Sequence, residues 1–310
     1  MSFLNPINQT QLYGLSIFFN DLKKLYTNNN LPNKILFNGQ KGLGKSTLAY
    51  HFINYSLSKN EDYKYDTINF KINSQNKSFK LSLNKTNPNF FLIDVIDEKK
   101  LIGIDQIREL IIKLNKSSFN DKPRFVLIDN IEYLNISSIN ALLKTLEEPT
   151  PNTYFILINS NRKILDTVTS RCIKFNISLS NIENLEIANK LLDGDLKETI
   201  NEKLINYYLT PGNIYNLALF AKKNDYDLSS YSLKDFLKIL IGNNHYTKDK
   251  QIKYLIYDFI EYYLCKMDFK FPVKINDKYN YFIKRISNTK KFNLDEESLF
   301  LEFQKKILNE

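Results

Sequence analysis

Short, dense apolar runs alternate through the first half of the chain with segments whose apolar residues recur every three or four positions. The runs are KILFNG (34–39), NFFLIDVI (89–96), RFVLID (124–129), TYFILIN (153–159) and CIKFNI (172–177). A half-exposed strand alternates apolar with polar side chains. Four of these five do not, which predicts a parallel sheet covered on both faces. Between the runs, KSTLAYHFINYSL sets Leu48, Phe52 and Tyr55 along one side of a helix. A second helix starts near Asp105 and carries Ile107, Leu110, Ile111 and Leu114. A third starts near Ser137, carries Ile139, Leu142, Leu143 and Leu146, and stops at Pro149. The alternation Phe79-Lys80-Leu81-Ser82-Leu83 predicts a small hairpin. The expected class is α/β, with a five-stranded parallel sheet in residues 1–177.

From residue 178 onward the pattern is helical. NIENLEIANKLL and KETINEKLINYYL are amphipathic, and PGNIYNLALFAKK opens after a turn at Pro211-Gly212. In KDKQIKYLIYDFIEYYLCKMDF the apolar face is broad: Ile252, Leu255, Ile256, Phe259, Ile260, Tyr263 and Leu264. Such a helix belongs to a domain core or an oligomer seam. The expected division is 1–177, 178–240 and 241–310.

Three of only eight glycines fall within six residues, in Gly39-Gln40-Lys41-Gly42-Leu43-Gly44-Lys45-Ser46-Thr47. The stretch fits G-x-x-x-x-G-K-[ST] between an expected strand and an expected helix. Glycines let the backbone turn its N–H groups onto phosphate oxygens, and the helix points its positive end at the same anion. Lys45 is expected to reach the outer phosphates of ATP, and the Ser46 hydroxyl to ligate Mg²⁺. Asp129, ending the third strand, is expected to hold the Mg²⁺ shell; its alternative is to cap the next turn. The residue that follows, Asn130, cannot take a proton from water. Glu132 is near but is expected on a different face.

Composition narrows the class. The chain has 310 residues, 43 % hydrophobic and 25 % charged, enough for two or three domains with sizeable cores. Net charge is +9, distributed as +8 over residues 1–180, −2 over 181–240 and +3 over 241–310. The first segment has the charge to lean on a phosphate backbone without a base-reading motif; a lysine-rich solvated surface is the simpler source. Cys172 and Cys265 make neither a disulfide framework nor a CxxC pair, as expected of a reducing cytoplasm. No basic-then-apolar signal segment opens the chain, and no apolar run spans a membrane. His51 and His245 are isolated and expected to be satisfied surface or helix histidines; Cys265 is expected as a small core residue.

VLIDNIEYLNISSINALLKTLEEPTPNTYFILINSNRKILDTVTSRC (126–172), with IDQIREL (104–110), resembles the bacterial clamp-loader subunits, AAA+ proteins of the DNA polymerase III holoenzyme. The likeness is strong over about 5–177 and lies beyond that only in general layout. It implies a lid over the nucleotide in 178–240 and a ring-forming collar in 241–310. Two types compete: the gamma/tau motor, which hydrolyses ATP, and the delta-prime stator, which often does not. Delta-prime is favoured because the motor has Asp-Glu where Asp129-Asn130 stands, a threonine pair where Asn159-Ser160 stands, and an arginine where Tyr215 stands. The chain also shows no long tail for polymerase or helicase. Implied partners are gamma/tau and delta subunits, with the sliding clamp and primed DNA reached through the assembly. In SRC, Arg171 matches an arginine that reaches in trans into a neighbour's ATP site; pairing with an acid at the strand entrance is its structural alternative. Many relatives carry a four-cysteine zinc module where residues 56–88 have neither Cys nor His, so no zinc is expected. The rivals are an active gamma-type ATPase and a non-replicative AAA+ scaffold or helicase-loader-like protein.

Overall fold

The computed structural model describes residues 4–96, 99, 101–117, 120–205, 209–248, 250–268, 274–292 and 294–309. The chain divides into two units, Ser2–Glu183 and Asn184–Glu310. In the first, five parallel strands lie in the order β2-β3-β4-β1-β5: β1 (Lys34–Asn38), β2 (Phe90–Ile93), β3 (Arg124–Ile128), β4 (Thr153–Asn159) and β5 (Ile173–Asn176). Adjacent residues of one strand enter opposite cores, since successive side chains point to opposite faces. Phe37, Phe125 and Ile156 pack with Phe19 of α1 (Ser16–Thr27) and Phe52 of α2 (Lys45–Leu57). Leu36, Val126 and Leu157 pack with Leu110 of α4 (Ile104–Leu114) and Leu142 of α5 (Ile136–Glu147). The middle strands are therefore apolar throughout. The edge strands are less covered: Ile173 of β5 is 55 % exposed and Leu92 of β2 is 39 % exposed.

Residues 79–83 form no hairpin. They lie in α3 (Lys77–Leu83), where Asn76 caps the helix by accepting the Phe79 N–H at 2.7 Å. A capped turn that buries Phe79 outweighs a five-residue alternation. The short α6 (Asp166–Thr169) leads into β5.

The second unit is helical: α7 (Asn181–Leu192, entering from the first unit), α8 (Leu196–Thr199), α9 (Pro211–Lys223), α10 (Leu233–Gly242), α11 (His245–Lys248), α12 (Lys250–Asp268), α13 (Lys274–Phe292) and α14 (Glu296–Phe303), which runs into a π-helical turn, Gln304–Leu308. KETINEKLINYYL is not one amphipathic helix. It breaks into α8 and a 3-10 turn, Glu202–Leu204, because the Asn201 side chain accepts the Lys203 N–H and starts a new cap; residues 206–208 lie outside the described residues. Pro211 is the first residue of α9 and not a turn before it, a position where its missing N–H costs nothing. One core joins Leu217, Leu240, Phe259, Phe282 and Phe303. The apolar face of α12 is buried in it, with Tyr263 half-buried, so that face is core. Cys265 is half-buried, its Sγ 4.0 Å from Tyr279 Oη. His245 is buried against Tyr226, whose hydroxyl lies 2.8 Å from Nε2.

His51 is buried on α2, with Nε2 3.0 Å from the Gln9 carbonyl and Nδ1 2.9 Å from the Tyr65 hydroxyl. The carbonyl can only accept, so Nε2 donates and Nδ1 accepts from Tyr65: the neutral ring is fully satisfied. Burial pushes its pKa down to about 4. The unfolded chain takes up this proton near pH 6.5 and the folded chain only near 4, so stability present above 6.5 is lost as pH falls through that window. The loss attributable to this ring is roughly 3 kcal/mol. Urea unfolding at pH 7.5 and at pH 4.5 measures it: His51→Gln is expected to be less stable at pH 7.5 and to lose less on acidification.

Candidate nucleotide site

The glycine-rich loop connects β1 to α2 at the C-terminal end of the sheet. Gly39 is buried immediately after β1, and a Cβ there would lie 2.3 Å from the Ile177 carbonyl oxygen. Gly42 and Gly44 take φ of 89° and 86°, the left-handed region that side chains disfavour. Leu43 between them is buried and anchors the loop, while Gln40 and Lys41 are exposed. Gly44 is the N-cap of α2, and Lys45, Ser46 and Thr47 form its first turn. That turn's N–H groups lack partners within the helix and face the loop's concavity.

Lys45 is buried, with Nζ donating to the Gly39 carbonyl at 2.9 Å and the Gln40 carbonyl at 2.6 Å. Burial lowers its pKa to about 8, opposed by the negative charges of Asp129 and Glu132. Ser46 Oγ donates to Asp129 Oδ2 at 2.6 Å. Burial raises the Asp129 pKa to about 6, opposed by the Ser46 hydrogen bond. The hydroxyl and carboxylate of this pair are hard oxygen donors of the kind Mg²⁺ takes. Left-handed glycines, a helix N-terminus, a buried lysine and this pair fit a polyphosphate with its magnesium.

Asn130, with φ 57° and ψ 48°, commits its amide to Asp94, donating from Nδ2 to Asp94 Oδ1 at 2.8 Å. Asp94 follows β2, and with Asp129, Tyr50 and Gln106 it lines a cavity of about 870 Å³. Burial, and then the charges of Asp129 and Asp94, push the Tyr50 phenol up. Glu132 was expected on another face. Its Oε2 instead accepts the Ser160 N–H at 3.4 Å beyond β4, and its charge reaches Lys45. Asp94 and Glu132 are what sequence reasoning missed or misplaced. Asp94 had a legible signal, since FLID closes one strand as VLID closes another.

One expected residue stands apart from the loop's contacts. Arg171 follows α6, where Nε and Nη2 donate to Glu147 Oε1 at 3.1 and 2.6 Å and Nη1 donates to the Thr167 carbonyl at 2.7 Å. In the second unit, Tyr215 is buried in α9. Among the described residues no cluster of His, Cys, Asp and Glu suits a metal ion, and no helix is long and apolar enough to cross a membrane.

A phosphate loop after β1, an acid closing β3, and β4 inserted between those two strands define a phosphate-loop protein of the AAA+ class. Residues 14–181 match the family described as DNA polymerase III, delta subunit, and the chain belongs to that family. It is similar to the DNA polymerase III subunit delta' of Haemophilus influenzae, 37 % identical over 99 residues, which are 32 % of this chain and 30 % of that protein. The subunit delta' of Buchnera aphidicola subsp. Schizaphis graminum is 27 % identical over 252 residues, 77 % of this chain and 74 % of that one. The subunit gamma/tau of Mycoplasma genitalium is 28 % identical over 248 residues, 80 % of this chain and 37 % of that protein. The chain thus spans less than a third of the Haemophilus relative and under two fifths of the gamma/tau relative.

The contact at Gly39 gives a direct test. Gly39→Ala forces a methyl into the Ile177 carbonyl and is expected to cost about 1–3 kcal/mol, as overpacking does. Thermal unfolding of the variant against wild type measures the loss.

Proposed function

We propose that the protein is a delta-prime-like subunit of a replicative clamp loader. Its loop binds ATP with Mg²⁺, through Gly39 to Thr47 and Asp129, and turns it over weakly or not at all. Ser46 and Asp129 hold the magnesium, which offsets phosphate charge. Residues 178–240 act as lid and 241–310 as collar. Gamma/tau and delta subunits complete the ring, which places the sliding clamp on primed DNA, in the cytoplasm. DNA contact is electrostatic and made by the assembly, in keeping with +8 on residues 1–180.

The observation that carries this reading is Asn130. The loop, Lys45, Ser46 and Asp129 form a complete binding set, while the residue after Asp129 is an amide committed to Asp94. Arg171 supports the second half of the role. Its planar fork suits two phosphate oxygens, and, held by Glu147 and the Thr167 carbonyl, its side chain remains one-third exposed. In trans, at a neighbour's transferred phosphoryl group, such an arginine is worth on the order of 10³–10⁵ in rate. An active gamma-type ATPase is the second reading, favoured by the gamma/tau similarity over 80 % of the chain.

Mixing the full chain with gamma, delta and clamp subunits and following clamp loading tests the role. Lys45→Ala is expected to abolish most binding of a fluorescent ATP; equal binding by both proteins contradicts the site. Arg171→Ala and Arg171→Lys are expected to leave ATP binding by this chain intact, to lower total ring ATPase only partly, and to slow loading. Loading at the wild-type rate by the Arg171→Ala ring refutes the trans role. Fast ATP turnover by the isolated chain decides for the gamma-type reading.

A further inference from the structure

Hydrolysis at this chain's own loop is accelerated by a group that takes a proton from the attacking water, and Asn130 is not such a group. We propose that Glu132 is that catalytic base, an inference that rests on the reading that the loop binds ATP. The backbone after β3 carries the argument. Asparagine tolerates the left-handed conformation that Asn130 adopts, and its amide goes toward β2, to Asp94. Ile131 then drops into the core, 2 % exposed. The 3-10 turn Ile131–Tyr133 brings Glu132 to the opposite side, where Oε2 accepts the Ser160 N–H. Ser160 directly follows β4, the strand between β3 and the loop-bearing β1. The carboxylate is thus held at the end of β4, between β3 and the loop-bearing β1, and its charge favours the charged form of Lys45, the lysine expected at the outer phosphates. Buried Leu134 and the Arg162 guanidinium, 5.1 Å from the centroid of the Tyr133 ring, fix the turn.

A second observation lies one residue before the amide that holds Glu132. Asn159 is 4 % exposed, and its Nδ2 is committed to Asn38 Oδ1 and to the Arg162 carbonyl, each at 2.9 Å. Its Oδ1 is buried without a hydrogen-bond partner. A buried acceptor of this kind calls for a donor. A water that donates one hydrogen to Asn159 Oδ1 and the other to Glu132 is oriented with its lone pair outward. Its oxygen attacks the γ-phosphorus and its proton passes to the Glu132 carboxylate. The bond from that phosphorus to the bridging oxygen breaks, ADP leaves with the electron pair, inorganic phosphate forms, and Glu132 returns its proton to solvent.

Three measurements on the full chain with Mg²⁺-ATP test this: affinity for a fluorescent ATP, phosphate release at saturation, and the nucleotide retained after rapid gel filtration. Lys45→Ala sets the background. Glu132→Gln is expected to bind ATP within about twofold of wild type and to release phosphate on the order of 100-fold more slowly. It should also retain ATP where wild type retains a mixture with ADP, and Glu132→Asp should fall between them. Release by Glu132→Gln at the wild-type rate overturns the proposal. So does a wild type that binds ATP yet releases no more phosphate than Lys45→Ala. A loss in Asp94→Asn with none in Glu132→Gln moves the base to Asp94 and overturns it too. A wild type that binds no ATP removes the nucleotide reading itself, an outcome distinct from the other three.

Discussion

The hydrogen bond from Ser46 to Asp129 ties together residues 83 positions apart and sets the geometry of everything around the loop. It joins the first turn of α2 to the end of β3, across the intervening β4. Both ends carry groups that burial makes uncomfortable: Asp129 is raised toward pH 6 and Lys45 lowered toward pH 8. Two ionisable groups held this close to neutrality are poorly solvated, and each is steadied by bonds inside the loop. A polyphosphate gives Lys45 an opposite charge, and a divalent cation does the same for Asp129. The loop therefore gains most from binding both together, and the same burial that weakens each charge alone strengthens its attraction to a bound ion.

From that anchor, a single conformational choice distributes the neighbouring side chains. Asn130 in the left-handed region sends position 130 toward β2, position 131 into the core and position 132 toward β4. Glutamate tolerates that conformation less well than asparagine. Putting a carboxylate at 130 would therefore strain the turn or re-aim all three positions. The identity of residue 130 thus acts through the backbone as much as through its side chain.

The sheet was legible because its middle strands are buried on both faces, and a run such as Phe125 to Ile128 has no other use in a domain of this size. The loop was legible because it is local: nine consecutive residues carry it. Contacts that join distant segments were not. Nothing in the spacing of Glu132 places it near Ser160, and nothing near Arg171 names Glu147 as its partner, although pairing with some acid was foreseen. Asparagine misled twice in the same way. At Asn76 and Asn201 its side chain caps a short helix or turn, and that local hydrogen bond decided the backbone where apolar alternation or amphipathicity pointed elsewhere.

The segment without zinc ligands buries Tyr65, Ile72 and Phe79 in the core and is tied down further by hydrogen bonds. Glu61 accepts the Ser78 N–H at 3.0 Å and pairs with Lys122 at 2.8 Å, and the Lys122 carbonyl accepts from Asn89 at 3.1 Å. Asn89 in turn receives the Phe125 N–H through its carbonyl at 2.8 Å, which starts the β2–β3 register. Glu61 is part-buried, and its bonds to Lys122 and Ser78 outweigh desolvation and hold its pKa below the usual carboxylate range. Each bond is modest, but together they fix where β2 begins, and four residues of strand later the same register delivers Asp94 beside Asp129. The position of a carboxylate at the candidate site is thus set at the far end of the sheet, by a polar network of Glu61, Ser78, Lys122 and Asn89.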